Sequence, residues 1–508
     1  MNHWLVAPVM LPPVVAALLL FGMHRSLRLG RAVALGSCLS LLVIAVSLLV
    51  EADGGIIQTY QMGDWAAPFG IVLVLDRLSA LMLVLTAALA TLVLVHVIAT
   101  DLDRQGWHFH PMFQFQLLGL NGAFLTGDLF NLFVFFEVLL IASYGLMLHG
   151  QGAARLRAGV HYVVANLVGS TLFLVGVGLL YGVTGTLNFA DMAVRVGALP
   201  PGDQGLARAG GLLLLVVFGL KAALLPLHLW LPQTYSATSA PVAALFAIMT
   251  KVGVYAIIRV FTLVFGAQAG ALAFFAQPWL LPAALLTVVV GFIGLFAARS
   301  LRELAAYGVI GSTGTLLTAI ALFEPAALAA GLYYLPHTTL AGATLFLLAD
   351  LVARRRGSQQ DRLVQGPRFP WTEPLSAFFL LAAVAVAGLP PLSGFVGKLL
   401  ILSSAQAHPA AGWIWAAILG TTVLVVLGFA RAGSLLFWKS AAVGEPLRPA
   451  PAQHSRAEFL ALAALFGLLV ALAALALPVT RYMEATAEQV LAPQPTIDAI
   501  LTDRRGGA

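Results

Sequence analysis

Apolar runs long enough to cross a bilayer, parted by short polar segments, recur along the whole chain. A helix needs about 20 apolar residues to cross the hydrocarbon layer. Such runs lie near 5–23, 32–50, 78–99, 112–127, 129–148, 160–184, 209–231, 242–265, 279–298, 304–323, 327–350, 375–403, 413–437 and 456–480. The pattern predicts an all-α polytopic membrane protein with 14 transmembrane helices. The fourth and fifth runs are parted only by Gly127-Asp128, which predicts a tight hairpin. Segment 186–206, with Asp191, Arg195 and Pro200-Pro201-Gly202, reads as a surface connector. Residues 354–374 read as a loop, residues 482–508 as a polar tail, and no segment as a soluble domain. The start, Met1-Asn2-His3-Trp4, has no positively charged n-region, and no A-x-A site precedes His24-Arg25, so the first run reads as a retained helix.

Composition narrows the class. Of 508 residues, 60% are hydrophobic and 9% charged, with a mean hydropathy of +0.96, against about 25% charged in soluble domains. That excludes a soluble enzyme, a disordered chain and a nucleic-acid binder. One cysteine, Cys38, excludes a disulfide framework and any cysteine-ligated cluster within the chain. The pattern offers no metal-ligand cluster, phosphate loop or nucleophile constellation, and no cofactor is expected. The net charge of +6 is arranged by side. With the N-terminus outside, the inner loops hold Arg25, Arg28, Arg31, Arg104, Arg155, Arg157, Arg299, Arg302, Arg354, Arg355, Arg356, Arg362, Arg368, Lys439, Arg448 and Arg456. The outer side holds Arg195, Arg208, Arg481, Arg504 and Arg505, with Glu51, Asp53 and Asp64 in its first loop. This asymmetry follows the positive-inside rule.

The charges left inside the runs carry the chemistry. The chain has four lysines and 23 arginines, and Lys221, Lys251 and Lys398 all fall within spans. Glu137 sits mid-run in the fifth and His337 in the eleventh. Each such charge costs about 2.5–3.5 kcal/mol on insertion scales. Arginine stays protonated, whereas a desolvated lysine can titrate near neutrality, as a proton relay requires. Blander readings stand beside this one. A lysine near a helix end can snorkel to the headgroups. Glu137 could form a static pair with Lys221, and His337 could be a satisfied core histidine. Arg259 and Arg431 read as snorkelling or structurally paired, and Asp76, Asp128 and Asp350 as interfacial, while His161 and His228 remain open.

Two spans carry break signals. The seventh reads KAALLPLHLWLP from Lys221 and the twelfth GLPPLSGFVGK from Gly388 to Lys398. Proline inside a helix removes a hydrogen bond and clashes with the preceding turn. Interrupted helices at matching places in two halves of a transporter point to its ion path. These two lie five helices apart, an odd number, as an inverted repeat requires.

These segments resemble the antiporter-like subunits shared by multi-subunit Mrp-type cation/proton antiporters and respiratory complex I. The resemblance rests on Asp128 to Glu137 (DLFNLFVFFE), Lys221 to Pro232, Met249 to Tyr255 (MTKVGVY) and Gly388 to Phe395 (GLPPLSGF), and it spans roughly 70–440. The wording FNLFVFFE and LPQTYSATS is most similar to the D-subunit branch of the Mrp/Pha-type Na⁺ or K⁺/H⁺ antiporters. The resemblance implies two inverted five-helix repeats, helices 4–8 and 9–13, with broken helices 7 and 12. It divides the chain into 1–111, 112–265, 279–440 and 441–508. It implies a midplane relay of Glu137, Lys221, Lys251, His337 and Lys398, and a place in a bacterial inner membrane. The partners it implies are other membrane subunits, protons and Na⁺ or K⁺. Two departures stand out: Gln233 replaces the aspartate of a Leu-Pro-Asp motif, and Gly342 stands where many relatives carry a lysine.

The expected function is proton translocation within a cation/proton antiporter. The alternatives are a proton-pumping arm of a complex I-like or hydrogenase-type redox enzyme, and a scaffold whose buried charges hold partner subunits.

Overall fold

In a computed structural model, residues 3–21, 26–442 and 456–501 are described; Arg25, Arg448, Arg504 and Arg505 of the charge pattern lie outside them. The helices are α1 (Ala7–Phe21), α2 (Leu27–Asp53), α3 (Arg77–Ala99), α4 (Phe109–Leu125), α5 (Leu129–Leu148), α6 (Ala153–Thr184), α7 (Phe189–Gly197) and α8 (Pro201–Lys221). There follow α9 (Trp230–Ala237), α10 (Ala240–Phe246), α11 (Met249–Arg259), α12 (Gln277–Ala297), α13 (Leu301–Ile320), α14 (Pro325–Arg355), α15 (Thr372–Ala387) and α16 (Ser393–Ser404). The last are α17 (Ala411–Gly433), α18 (Leu460–Ala474), α19 (Ala476–Leu491) and α20 (Gln494–Leu501).

Among the described residues, ten helices are long and apolar enough to cross a membrane. Four of the expected spans fall outside this set. The first and twelfth lie on the shorter apolar helices α1 and α15–α16. The fourth and tenth lie on α4 and α13, which carry buried polar side chains such as Gln114, Gln116, Asn121, Ser312 and Thr313. The centre of the bundle is clear from burial. The most apolar stretch of Ala240–Val264 is wholly buried and that of Pro325–Arg355 is 94% buried, so both are ringed by other helices. These carry Lys251 and His337. Glycines let the surrounding helices close up: a methyl group on Gly291 would stand 2.3 Å from the backbone nitrogen of Gly311, and one on Gly119 2.5 Å from Leu139 Cβ. Small residues at helix crossings give this approach in membranes.

Three expectations are corrected. The 186–206 connector is instead the amphipathic helix α7 followed by the first turns of α8, with Phe189, Ala190, Met192, Ala193 and Val196 buried. Asn188 caps α7 by accepting from the amides of Ala190 and Asp191. The polar tail is folded at least to Leu501: α19 packs against α14 through an apolar face that includes Met483, Ala487 and Val490, and α20 packs on α7. The run at 456–480 is not one helix. It breaks at Leu475, and the Leu472 carbonyl freed there accepts from the Tyr333 hydroxyl at 2.8 Å. A hairpin that the apolar pattern does not announce, β1 (Gln58–Gln61) against β2 (Val72–Leu75), leads into α3.

Asp76 and Arg259 join this region to the bundle. Asp76 caps α3 through Ser79 and takes both guanidinium nitrogens of Arg259 at 2.5 Å. Arg259 also donates to the Tyr255 hydroxyl, which donates to the Phe124 carbonyl. Arg259 is therefore a structural partner, and Asp76, at the helix end as expected, is 1% exposed. Arg431 donates to the carbonyls of Phe296 and Ala298 at the end of α12.

Candidate functional site

Both expected breaks are present, and a lysine stands at each. α8 ends at Lys221. Ala223 then takes a left-handed φ of +56°, and the amides of Ala223 and Leu224 turn back to the carbonyls of Leu220 and Gly219. That is a Schellman closure. Trp230 Nε1 donates to the Leu220 carbonyl at 2.9 Å, and Leu225 N to Thr287 Oγ1 at 2.9 Å, so the interruption leaves these groups satisfied. In the other break α15 ends at Ala387, Gly388 follows at φ +72°, and α16 begins at Ser393. Lys398 Nζ donates to the Ala387 carbonyl at 2.8 Å and to Thr422 Oγ1 at 3.0 Å, with the Phe292 ring 5.7 Å away. The Lys398 ammonium thus lies at the C-terminus of α15, where the negative end of the macrodipole favours a cation.

The first cluster is organised by α6. Lys221 Nζ donates to Asn166 Oδ1 at 2.8 Å, and one turn on Ser170 donates to Glu137. Among the described residues, no ion pair within 4.0 Å joins Glu137 to Lys221, so a direct static pair is not what the structure has. Lys221 is buried and Glu137 half-buried. α11 comes against this cluster through Gly253, where a methyl group would stand 2.6 Å from the Phe218 carbonyl. A small cavity lined by Asn166, Lys221, Trp230, Met249 and Val252 among others has room for about one water.

Lys251, on α11, is fully buried among hydroxyls, with Thr250 Oγ1 at 3.2 Å and Thr313 Oγ1 at 3.4 Å. On α14, His337 Nδ1 meets Ser393 Oγ at 2.9 Å, and the ring lies 5.4 Å from that of Tyr334. Beside it Thr338 donates to Ser312 Oγ of α13 at 2.5 Å. A second small cavity, lined by Ser312, His337, Thr338 and Gly342, again has room for about one water.

None of the five expected residues shares a hydrogen bond or an ion pair with another. Their hydrogen-bond partners are Ser393 for His337, which lies in the marked second break, and polar groups that the sequence pattern does not mark: Asn166 and Ser170 for the first pair, Thr313 for Lys251, Thr422 for Lys398. The only signal for them is a polar side chain on a buried face, which many structural threonines share. Of the two histidines left open, His161 is exposed and bonded to the Arg157 carbonyl, and His228 is buried in the first break.

The family described as NADH:quinone oxidoreductase/Mrp antiporter, TM matches residues 126–427, more than half of the chain. The chain belongs to that family. Over their full lengths, it is 41% identical to the D subunit of a probable K(+)/H(+) antiporter of Rhizobium meliloti (100% of this chain, 99% of the relative). It is 38% identical to the D subunit of the Na(+)/H(+) antiporter of Bacillus subtilis (99% and 100%). Among solved structures, a chain of the Mrp complex from Dietzia sp. DQ12-45-1b superimposes with a TM-score of 0.89 at 28% identity, covering 99% of this chain and 100% of that one. A chain of respiratory complex I from Thermus thermophilus gives 0.77 at 26%, covering 96% and 99%.

Proposed function

We propose that this membrane protein is the proton-translocating subunit of a multi-subunit monovalent cation/proton antiporter in a bacterial inner membrane. Protons pass through a midplane relay of Glu137, Lys221, Lys251, His337 and Lys398, coupled to exchange of Na⁺ or K⁺. In this reading 14 spans include two inverted five-helix repeats, helices 4–8 and 9–13, at 112–265 and 279–440. They are flanked by 1–111 and by 441–508.

The observation that carries the reading is the run of three buried lysines and a buried histidine, each bonded to neutral groups rather than to a carboxylate. A structural ammonium in low dielectric is ordinarily paired. One held by an amide, a hydroxyl or a carbonyl is free to lose its proton and take it back. Glu137 biases Lys221 across α6, and gain or loss of that bias gates transfer. The low dielectric makes each charge state felt by the next without large motion.

Likeness to complex I supports a second reading, the proton-pumping arm of a redox enzyme. The 41% and 38% full-length identity to antiporter D subunits favours the antiporter. The test uses the complex with its partner subunits in everted vesicles. Glu137→Ala and Lys221→Ala should each abolish cation-dependent pH changes while the complex still assembles. Wild-type activity in both variants would overturn the reading.

A further inference from the structure

The small cavity beside His337 is lined, among the described residues, by Gly342, by hydroxyl side chains that include Tyr334, and by no lysine or carboxylate. What it holds instead is hydroxyls with unusual partners. Threonines in membrane helices commonly turn their hydroxyl back to the carbonyl four residues earlier. Thr315 and Thr318 on α13 do so, as do Thr339 and Thr344 on α14. Thr338 does not: its hydroxyl crosses to Ser312 on the facing helix at 2.5 Å, and Ser312 donates in turn to the Val309 carbonyl at 3.1 Å. Thr313, next to Ser312, accepts from Lys251. Ser312, Thr338 and His337 line one small cavity with Gly342. A methyl group on Gly342 would come within 3.1 Å of Val309 Cγ2, so a longer side chain there would fill the space.

We propose that the Ser312–Thr338 hydroxyl pair, with one water seated in the cavity at Gly342, carries the proton between Lys251 and His337; this rests on the relay reading above. Each hop breaks one N–H or O–H bond and forms another. The Lys251 ammonium releases a proton through Thr313 and becomes an amine. The hydroxyls and the water each take one proton and release one, reversing their hydrogen bonds. The His337 imidazole takes the proton and passes it by way of Ser393 to the Lys398 amine, which becomes an ammonium. No electrons move, and the chain of hydroxyls is left chemically unchanged.

The test is cation-driven proton uptake by the whole complex in liposomes, read with a pH-sensitive dye. Thr338→Val keeps the shape and removes the hydroxyl. It should slow uptake by about tenfold or more, given what a positioned proton-transfer group contributes, with assembly and melting temperature unchanged. Thr338→Ser restores the hydroxyl and should return uptake to near the wild-type rate, which a packing role for Thr338 would not produce. Wild-type uptake in Thr338→Val, with Lys398→Ala inactive, overturns the bridge and leaves the relay standing. Thr338→Ser as slow as Thr338→Val also overturns the bridge. Wild-type uptake in both Lys251→Ala and Lys398→Ala overturns the relay itself. Should Thr338→Val fail to assemble, Ser312→Ala removes the same bond from the facing helix: slowed uptake supports the bridge and wild-type uptake overturns it.

Discussion

Gly388→Ala is a small change aimed at one lysine. Gly388 follows α15 at φ +72°, where an alanine costs about 1 kcal/mol for the left-handed backbone. The added methyl would also stand 2.6 Å from Lys398 Cδ, 3.0 Å from Cε and 3.2 Å from the Gly394 carbonyl. Ordinary contact begins near 3.4 Å, so the lysine chain must give way by close to an ångström. Overpacking of this kind costs about 1–3 kcal/mol. The displaced ammonium also leaves the Ala387 carbonyl at 2.8 Å and Thr422 at 3.0 Å. Charge-assisted bonds of this sort are worth about 1.5–3 kcal/mol each, and displacement of a reacting group by 1 Å can cost about 100-fold in rate. Gly357→Ala is the control: its φ is +56°, but a methyl group there meets nothing within 4 Å. Both variants pay the backbone cost and only one moves Lys398. In reconstituted liposomes Gly388→Ala should lose most cation-driven proton uptake while Gly357→Ala keeps it. Equal uptake in the two would refute the argument that Lys398 needs its present seat.

Two further predictions concern groups outside the relay. Asp76→Asn leaves Arg259 buried without its carboxylate partner, at a cost of about 3–5 kcal/mol. It should lower the apparent melting temperature of the purified complex by several degrees, and an unchanged value would count against the pair as an anchor. Asp103, between α3 and α4, is pushed up by burial, but bonds from His110 and Arg31 outweigh this and hold its carboxyl at about 2. An unfolded aspartate titrates at about 3.9. The folded value is the lower one, so the stabilisation is complete above about pH 4 and fades as pH falls towards 2. The gap in melting temperature between wild type and Asp103→Asn should therefore narrow below about pH 4. A gap constant down to pH 3 would contradict the assignment.

What the sequence exposes and what it hides follow from physics. A charge in an apolar run is conspicuous because its insertion cost is large, so Glu137, Lys221, Lys251, His337 and Lys398 can be picked out. Proline and glycine mark both helix breaks for the same kind of reason, since they change backbone geometry locally. Asn166, Ser312, Thr313 and Thr338 cannot be picked out, because a buried hydroxyl or amide on a helix ordinarily satisfies itself on its own backbone. Their roles depend on which helix faces them. The Asp76–Arg259 pair joins residues 183 apart in sequence, which no local pattern reveals. α7 and α19 read as surface because nine and 16 residues with one apolar face look polar on average. All 14 runs are legible as apolar stretches, but among the described residues only ten helices meet the length and hydropathy of a membrane span, α4 and α13 being diluted by the buried polar groups they carry.

In the proposed relay Lys251 is the group on which the two halves depend, because it would stand between the Lys221 cluster and the hydroxyls proposed to lead to His337. Proton uptake driven by an imposed cation gradient should be measured in liposomes holding the complete complex with Lys251→Met, a variant that keeps an unbranched side chain, one heavy atom shorter, and removes its titration. The account predicts uptake no faster than the passive leak of empty liposomes, from a complex that assembles as the wild type does. Uptake at the wild-type rate would contradict it.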